Sequence, residues 1–200
     1  AGKTTTIKCI VGILNCDSGS ILIEGDDIEE NRLHSKKRIG FLPEQIGLYG
    51  GLTPTETLKY YGGFYELEND IIKERGKDLL RKLGLDKDSE RQVSGFSLGM
   101  RKRLALAVSL LHEPEILILD EPTAALDPQT EIALVRALLQ ISRERLVIVI
   151  AHRLSPIRQA DRIIFLEEGE IRDIGNHETL MSDPNGRYRR FVELQSGEKA

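Results

Sequence analysis

Asp120 and Glu121 stand side by side after an aliphatic run, Ile116-Leu117-Ile118-Leu119, and just before Pro122. Adjacent carboxylates can divide two tasks. One can hold a divalent cation, usually through water when the ion is Mg²⁺, and the other can orient and deprotonate an attacking water. A second group opens the chain. Gly2, Lys3, Thr4 and Thr5 match the end of the phosphate-loop pattern G-x-x-x-x-G-K-[ST]. In that loop backbone N–H groups cradle phosphates, the lysine reaches the β and γ groups, and the hydroxyl ligates Mg²⁺. Gly-Lys-Thr-Thr alone suits a solvated helix start equally well. With Asp120 ending a buried run downstream, the combination points to phosphate binding, with Asp120 on the metal side.

These groups need elements to hold them. An aliphatic run as long as 116–119 suits a strand buried on both faces of a parallel sheet, with chemistry gathered at its carboxyl end. Gly2 to Thr5 lead into a segment with Ile7, Ile10, Val11 and Leu14 at helical spacing, closed by a loop over 15–19. Strands are expected over 20–24 and 38–42, the latter stopped by Pro43. Residues 53–85 carry helical patterns. Thr53-Pro54-Thr55-Glu56 resembles a capped start, Leu58, Tyr61 and Tyr65 share a face, and Gly84 stops a second helix built on Ile71, Ile72, Leu79, Leu80 and Leu83. A third helix is expected from about Ser97 to Leu111. This places a helical insertion inside an α/β core. A helix over 128–143, a buried strand over 146–150 and two strands joined at Glu168-Gly169 follow, and the tail carries short helical patterns.

Two hundred residues suit one domain with a substantial core. The net charge of −4 gives no global attraction to nucleic acid. Cys9 and Cys16 have no metal-site spacing and are expected as small core residues in a reducing compartment. No apolar stretch approaches the ~20 residues that span a bilayer, and no signal peptide is visible. The first residue is Ala1, inside the phosphate-loop pattern. The sequence is therefore read as starting within that motif, with earlier residues missing.

The motifs in this order resemble the nucleotide-binding domain of ATP-binding cassette (ABC) proteins, over essentially all 200 residues. The resemblance implies a P-loop NTPase α/β core with a mainly parallel sheet flanked by helices. An α-helical signature subdomain, at about 53–112, is inserted in a domain covering 1–200. It implies ATP and Mg²⁺, with Gly2, Lys3, Thr4 and Thr5 on phosphate, Thr4 and Asp120 on metal, and Glu121 as the base. The family's signature, L-S-G-G-Q, matches Phe96-Ser97-Leu98-Gly99-Met100 better than the frame at Ser94-Gly95, because a basic and then apolar continuation follows. Ser97 and Gly99 would then meet ATP held by an opposite subunit. Leu98 adds a side chain where the family has glycine, and Met100 replaces glutamine. Arg101, Lys102 and Arg103 are expected at a solvated or phosphate-facing helix start. After Pro43 the family's metal-contacting glutamine is replaced by Glu44, with Gln45 next, and Glu44 is favoured slightly. Ala125-Leu126-Asp127 resembles the loop that crosses the dimer interface. His152 takes the place of the switch histidine that contacts the γ-phosphate, and is grouped with Glu121 as catalytic.

The partners so implied are a second ABC ATPase domain and transmembrane permease domains, fused or separate, at the cytoplasmic face of the membrane. No nucleic acid is expected. Residues 151–155 and 160–163 resemble exporter-type domains, whereas 39–52 resemble freestanding ATPase subunits of efflux systems. The function expected is ATP hydrolysis that powers transport, in the export direction, by a nucleotide-sandwich dimer. A repair-type ATPase fits less well, because the interval from Glu44 to Ser97 holds no sustained heptads. The His152-Arg153-Leu154-Ser155 segment speaks against a translation factor with two cassettes. Glu121 together with His152 speaks against a regulatory module without turnover.

Overall fold

The computed structural model describes residues 2–30, 32–142 and 145–196. Helix α1 (Lys3–Ile10) is followed by a small antiparallel pair, β1 (Leu22–Ile23) and β2 (Asp26–Asp27), and by α2 (Arg32–Arg38). Strand β3 (Ile39–Leu42) leads to three helices, α3 (Pro54–Phe64), α4 (Asn69–Lys82) and α5 (Leu98–Leu110). Strand β4 (Ile116–Asp120), helix α6 (Pro128–Ile141), strand β5 (Leu146–Ile150) and the short α7 (Leu154–Ile157) come next. The hairpin β6 (Ile163–Glu167) and β7 (Glu170–Gly175) and helices α8 (His177–Ser182) and α9 (Arg187–Ser196) complete the described chain.

Strands β3, β4 and β5 form a parallel sheet in that order. Leu42 lies opposite Leu119, and Asp120 opposite Ile150, so all three carboxyl ends meet along one edge. The middle strand is covered on both faces. Leu117 and Leu119 pack with Leu58, Leu104, Leu106 and Leu134 of the flanking helices. Ile118 points the other way, to Ile7, Val11, Ile39 and Ile150. All three are fully buried. Each such side chain contributes about 1.5–3 kcal/mol, which anchors the strand end that carries Asp120.

Local chemistry explains the helical boundaries. Thr53 accepts the Glu56 N–H, and the Glu56 carboxylate accepts the Thr53 N–H in return, with Pro54 in the first turn. After α4, Gly84 has φ +64°, a left-handed turn that returns the chain to the fully buried Leu85. His112 links the helices to the sheet. Its ring stacks on Tyr65 at 3.8 Å between centroids, and its Nε2 lies 3.1 Å from the Ile39 carbonyl oxygen.

Several expectations are corrected. Arg38 ends helix α2 instead of opening a strand, and the helix itself carries no apolar periodicity: its one large apolar residue, Leu33, is exposed. The strand expected over 20–24 is only Leu22–Ile23. Helix α1 ends before Leu14 because Gly12 turns left-handed. Cys9 and Cys16 are free and half-buried beside the following loop, outside the core clusters. Arg143, expected as the end of α6, lies outside the described residues.

One glycine is required by close approach. A Cβ on Gly40 would sit 2.2 Å from the Ser109 carbonyl oxygen and 2.8 Å from Pro114, where β3 passes under α5. Gly40→Ala should lower stability by about 1–3 kcal/mol, the usual cost of overpacking, read as a shift in the urea midpoint at constant slope.

Candidate active site

The edge where the three parallel strands end gathers most of the sequence-derived candidates. Gly2 caps α1 in a left-handed conformation, φ +96°, and Lys3 and Thr4 sit half-buried in its first turn. The Thr4 hydroxyl lies 3.5 Å from Asp120 Oδ1. Thr5 is exposed on the same turn. Asp120 is 3% exposed. Burial pushes its carboxyl above the usual carboxylate range, and the Glu44 carboxylate adds to the rise. The Thr4 hydroxyl, Lys8 and His152 oppose it. Glu44 leaves β3 two residues after Leu42, and its charge acts on Asp120; Glu44 and Gln45 are both exposed.

This donor set fits Mg²⁺. A hydroxyl and two carboxylates are hard oxygen donors, and the Glu44 charge adds to the cost of ionising Asp120. Among the described residues no group of three or more His, Cys, Asp or Glu forms a closed cage. That also suits Mg²⁺, which takes one or two carboxylates and completes its shell with water and phosphate oxygens.

Glu121 occupies an unusual backbone position. Its φ is +50°, in the left-handed region that a non-glycine residue adopts rarely and that clusters at functional sites. Its N–H donates to the Ile150 carbonyl at 3.0 Å, extending the contact between β4 and β5 past the strand end. The side chain is 13% exposed, and Oε1 is buried without a hydrogen bond. His152 Nε2 stands 3.1 Å from that oxygen but is not aligned to donate to it. A buried acceptor left unsatisfied is costly, and the nearest donor to this oxygen is His152 Nε2. His152 itself is 66% exposed, and its carbonyl accepts Gln195 Nε2 of α9 at 2.6 Å.

The second cluster lies elsewhere. Ser97 caps α5, accepting the Met100 N–H at 3.2 Å, and is exposed together with Leu98. Ser94 and Gly95 fall in a 3₁₀ turn, so the frame at Ser97 is the one that opens a helix. Gly99 is buried, and a Cβ there would meet Thr130 of α6 at 2.4 Å; its small size serves the packing of α5 on α6. Asp127 caps α6 by accepting the Thr130 N–H at 3.0 Å, and its bonds to Thr130 hold its carboxyl below the usual range. No hydrogen bond or ion pair among the described residues joins Ser97 or Asp127 to Thr4, Asp120, Glu121 or His152.

The expectation of a solvated Arg101-Lys102-Arg103 start fails for its middle residue. Lys102 is 3% exposed, and its Nζ donates to the Glu121 and Ala124 carbonyls at 2.9 and 2.8 Å. Position 102 follows the buried Gly99 by three and precedes the buried Leu106 by four, which puts it on the covered face of α5. That spacing is the signal by which the sequence could have shown it. Arg153 also escaped notice: it donates to the Leu126 carbonyl at 3.1 Å and pairs with Glu131.

The family described as ABC transporter matches residues 1–124. The linearmycin resistance ATP-binding protein LnrL of Bacillus subtilis is 35% identical over 188 residues, covering 93% of this chain and 60% of its own length. The ABC transporter ATP-binding protein NatA of the same organism is 36% identical, covering 96% of this chain and 79% of its own. The ATP-dependent lipid A-core flippase of Haemophilus influenzae is 34% identical over 98% of this chain, which spans only 34% of the flippase. Among solved structures, an ATP-binding subunit of an ABC transporter superposes with a TM-score of 0.80 at 26% identity, over 97% of this chain and 83% of that one. A bacterial Atm1-family ABC exporter with ATP bound gives 0.85 at 25% identity, over 100% of this chain and 36% of that one.

Proposed function

The chain belongs to the ABC transporter family and carries its ATP-binding domain, and from that premise we propose that it hydrolyses ATP to drive export across a membrane as a nucleotide-sandwich dimer. The observation that carries this reading is the division of the site into two places. Thr4, Glu44, Asp120, Glu121 and His152 converge at one sheet edge, whereas Ser97 caps an exposed helix start and, among the described residues, shares no hydrogen bond with any of them. A site complete in one chain would have no need of that separation; two chains packed face to face would bring Ser97 of each to the edge of the other.

In this reading Gly2, Lys3, Thr4 and Thr5 bind the phosphates of ATP, and Ser97 and Gly99 close over them from the opposite subunit. Thr4, Asp120 and Glu44 hold Mg²⁺; when bound, that ion neutralises phosphate charge. Glu121 accepts the proton of the attacking water; its Oε1 carries no hydrogen bond in this chain. His152 turns toward the γ-phosphate from its exposed loop, and Asp127 lies at the joint between subunits. Helices α3, α4 and α5, within 53–112, act as the signature subdomain.

The permease is assigned to a surface on α3 and the loop before it. Tyr49, Tyr60 and Phe64 are exposed, and their rings meet edge to face at 5.2–5.3 Å. Contiguous exposed aromatics mark interaction surfaces. Among the described residues no helix is long and apolar enough to cross a membrane; in this reading the domain meets the cytoplasmic face through that partner. Export is supported by relatives that are a flippase and an Atm1-family exporter. ATP without hydrolysis should convert the complete protein's ATPase domains to a closed dimer, seen by light scattering on the Glu121→Gln variant. A species that stays monomeric with saturating Mg-ATP rejects the sandwich.

A further inference from the structure

We infer that Lys102 is a positioning residue through which α5, the helix that carries Ser97, sets the backbone of Glu121 in its own chain. The inference rests on the reading of Glu121 as the base. Residues 121–126 form a tight double turn: the Ala124 N–H donates to the Glu121 carbonyl at 3.1 Å, and the Leu126 N–H to the Thr123 carbonyl at 3.3 Å. Two non-glycine residues of this turn are left-handed, Glu121 at φ +50° and Ala125 at φ +57°. Such conformations persist only where surrounding contacts over-determine them.

The contacts that do so are cationic. Lys102 Nζ sits between the Glu121 and Ala124 carbonyls, at 2.9 and 2.8 Å, and bridges the first turn from beneath. Arg153, next to His152, takes the Leu126 carbonyl at 3.1 Å and is tied to Glu131 of α6. A buried ammonium is retained where its donors find acceptors, and these two carbonyls take two of its three. Burial lowers the Lys102 pKa, while the Glu121 and Glu44 carboxylates hold it up. The ammonium therefore joins the signature helix to the backbone of Glu121, just past β4, and to the turn leading to Asp127. A shift of α5 when Ser97 meets the opposite nucleotide pulls on the carbonyl of the residue whose side chain faces the water.

The test is Lys102→Met, which keeps the aliphatic stem and removes the charge and donors, and Lys102→Arg, which restores them. Both are made in the complete protein, with thermal unfolding as a check on folding. For Lys102→Met, kcat for ATP should fall at least about tenfold with KM within twofold, and the Ala124 and Leu126 amides should exchange hydrogen at least about tenfold faster. Lys102→Arg should recover most of the protection. The inference is overturned by an unchanged kcat, by unchanged amide exchange, by a loss confined to KM, or by Arg and Met failing alike. Amide exchange does not depend on which group is the base. If Glu121→Gln hydrolyses ATP normally, the base assignment falls, and the exchange data still decide whether Lys102 holds the turn.

Discussion

Glu121→Gln, made in the complete protein, should abolish ATP turnover while ATP binding persists. A positioned general base contributes on the order of 10²–10⁴ in rate, so the residual kcat should drop by at least about two orders of magnitude. Glutamine fills the same volume and keeps one oxygen, so the left-handed backbone at 121 and the hydrogen bond from its N–H to Ile150 are retained. What disappears is the ability of the buried Oε1 to take a proton. In the proposed site ATP is held by Lys3, Thr4 and Asp120, which the substitution does not touch. The measurement is phosphate release at saturating ATP beside nucleotide affinity by calorimetry. Hydrolysis within threefold of wild type would remove Glu121 from the role, and a collapse of affinity would show that the carboxylate holds the nucleotide instead.

Asp120→Asn has a double expected effect, with opposite signs. The folded protein holds the Asp120 carboxyl above its ordinary range, chiefly by burial and then by Glu44. The folded state therefore binds this proton more readily than the unfolded chain. The favourable contribution is fully present below the unfolded value and is lost as pH rises through the folded one. At neutral pH the ionised group costs stability, and asparagine removes that cost. Without nucleotide and metal, the variant should therefore melt higher than wild type at pH 7, with the difference shrinking toward pH 4. With Mg-ATP the order reverses. Ligand at about 100 times Kd stabilises the wild type by about 2.7 kcal/mol, and the variant should lose most of that gain. Scanning calorimetry with and without Mg-ATP separates the two effects. A variant that melts lower in the absence of ligand would contradict the burial argument, and one that keeps the full Mg-ATP shift would remove Asp120 from the metal site.

Together these expected results describe a site kept at the expense of the fold. An aspartate with 3% exposure beside a second acid, and a glutamate with positive φ and an unsatisfied oxygen, are both unfavourable in isolation. They sit at the end of a strand whose Leu117, Ile118 and Leu119 are completely buried. The apolar contacts of those three residues on both faces make up for them.

The features legible in the chain alone follow from forces that act locally. The run at 116–119 marked a doubly covered strand because a continuous aliphatic stretch has no polar face to give to water. The capped start at Thr53 and Pro54, the stop at Gly84 and the helix opening after Ser97 were legible because caps and left-handed turns are decided within four or five residues. The family resemblance added roles to residues already standing at element ends. Helix α2 was not legible, since its side chains are almost all solvated and leave no periodic trace. Two features of the site waited for the tertiary structure: the left-handed turn at Glu121 and the burial of Lys102 beneath it. They depend on groups brought together from different elements, with Lys102 and Glu121 19 residues apart. The charge of a lysine is written in the sequence, but whether it meets water or a carbonyl is decided by what packs over it.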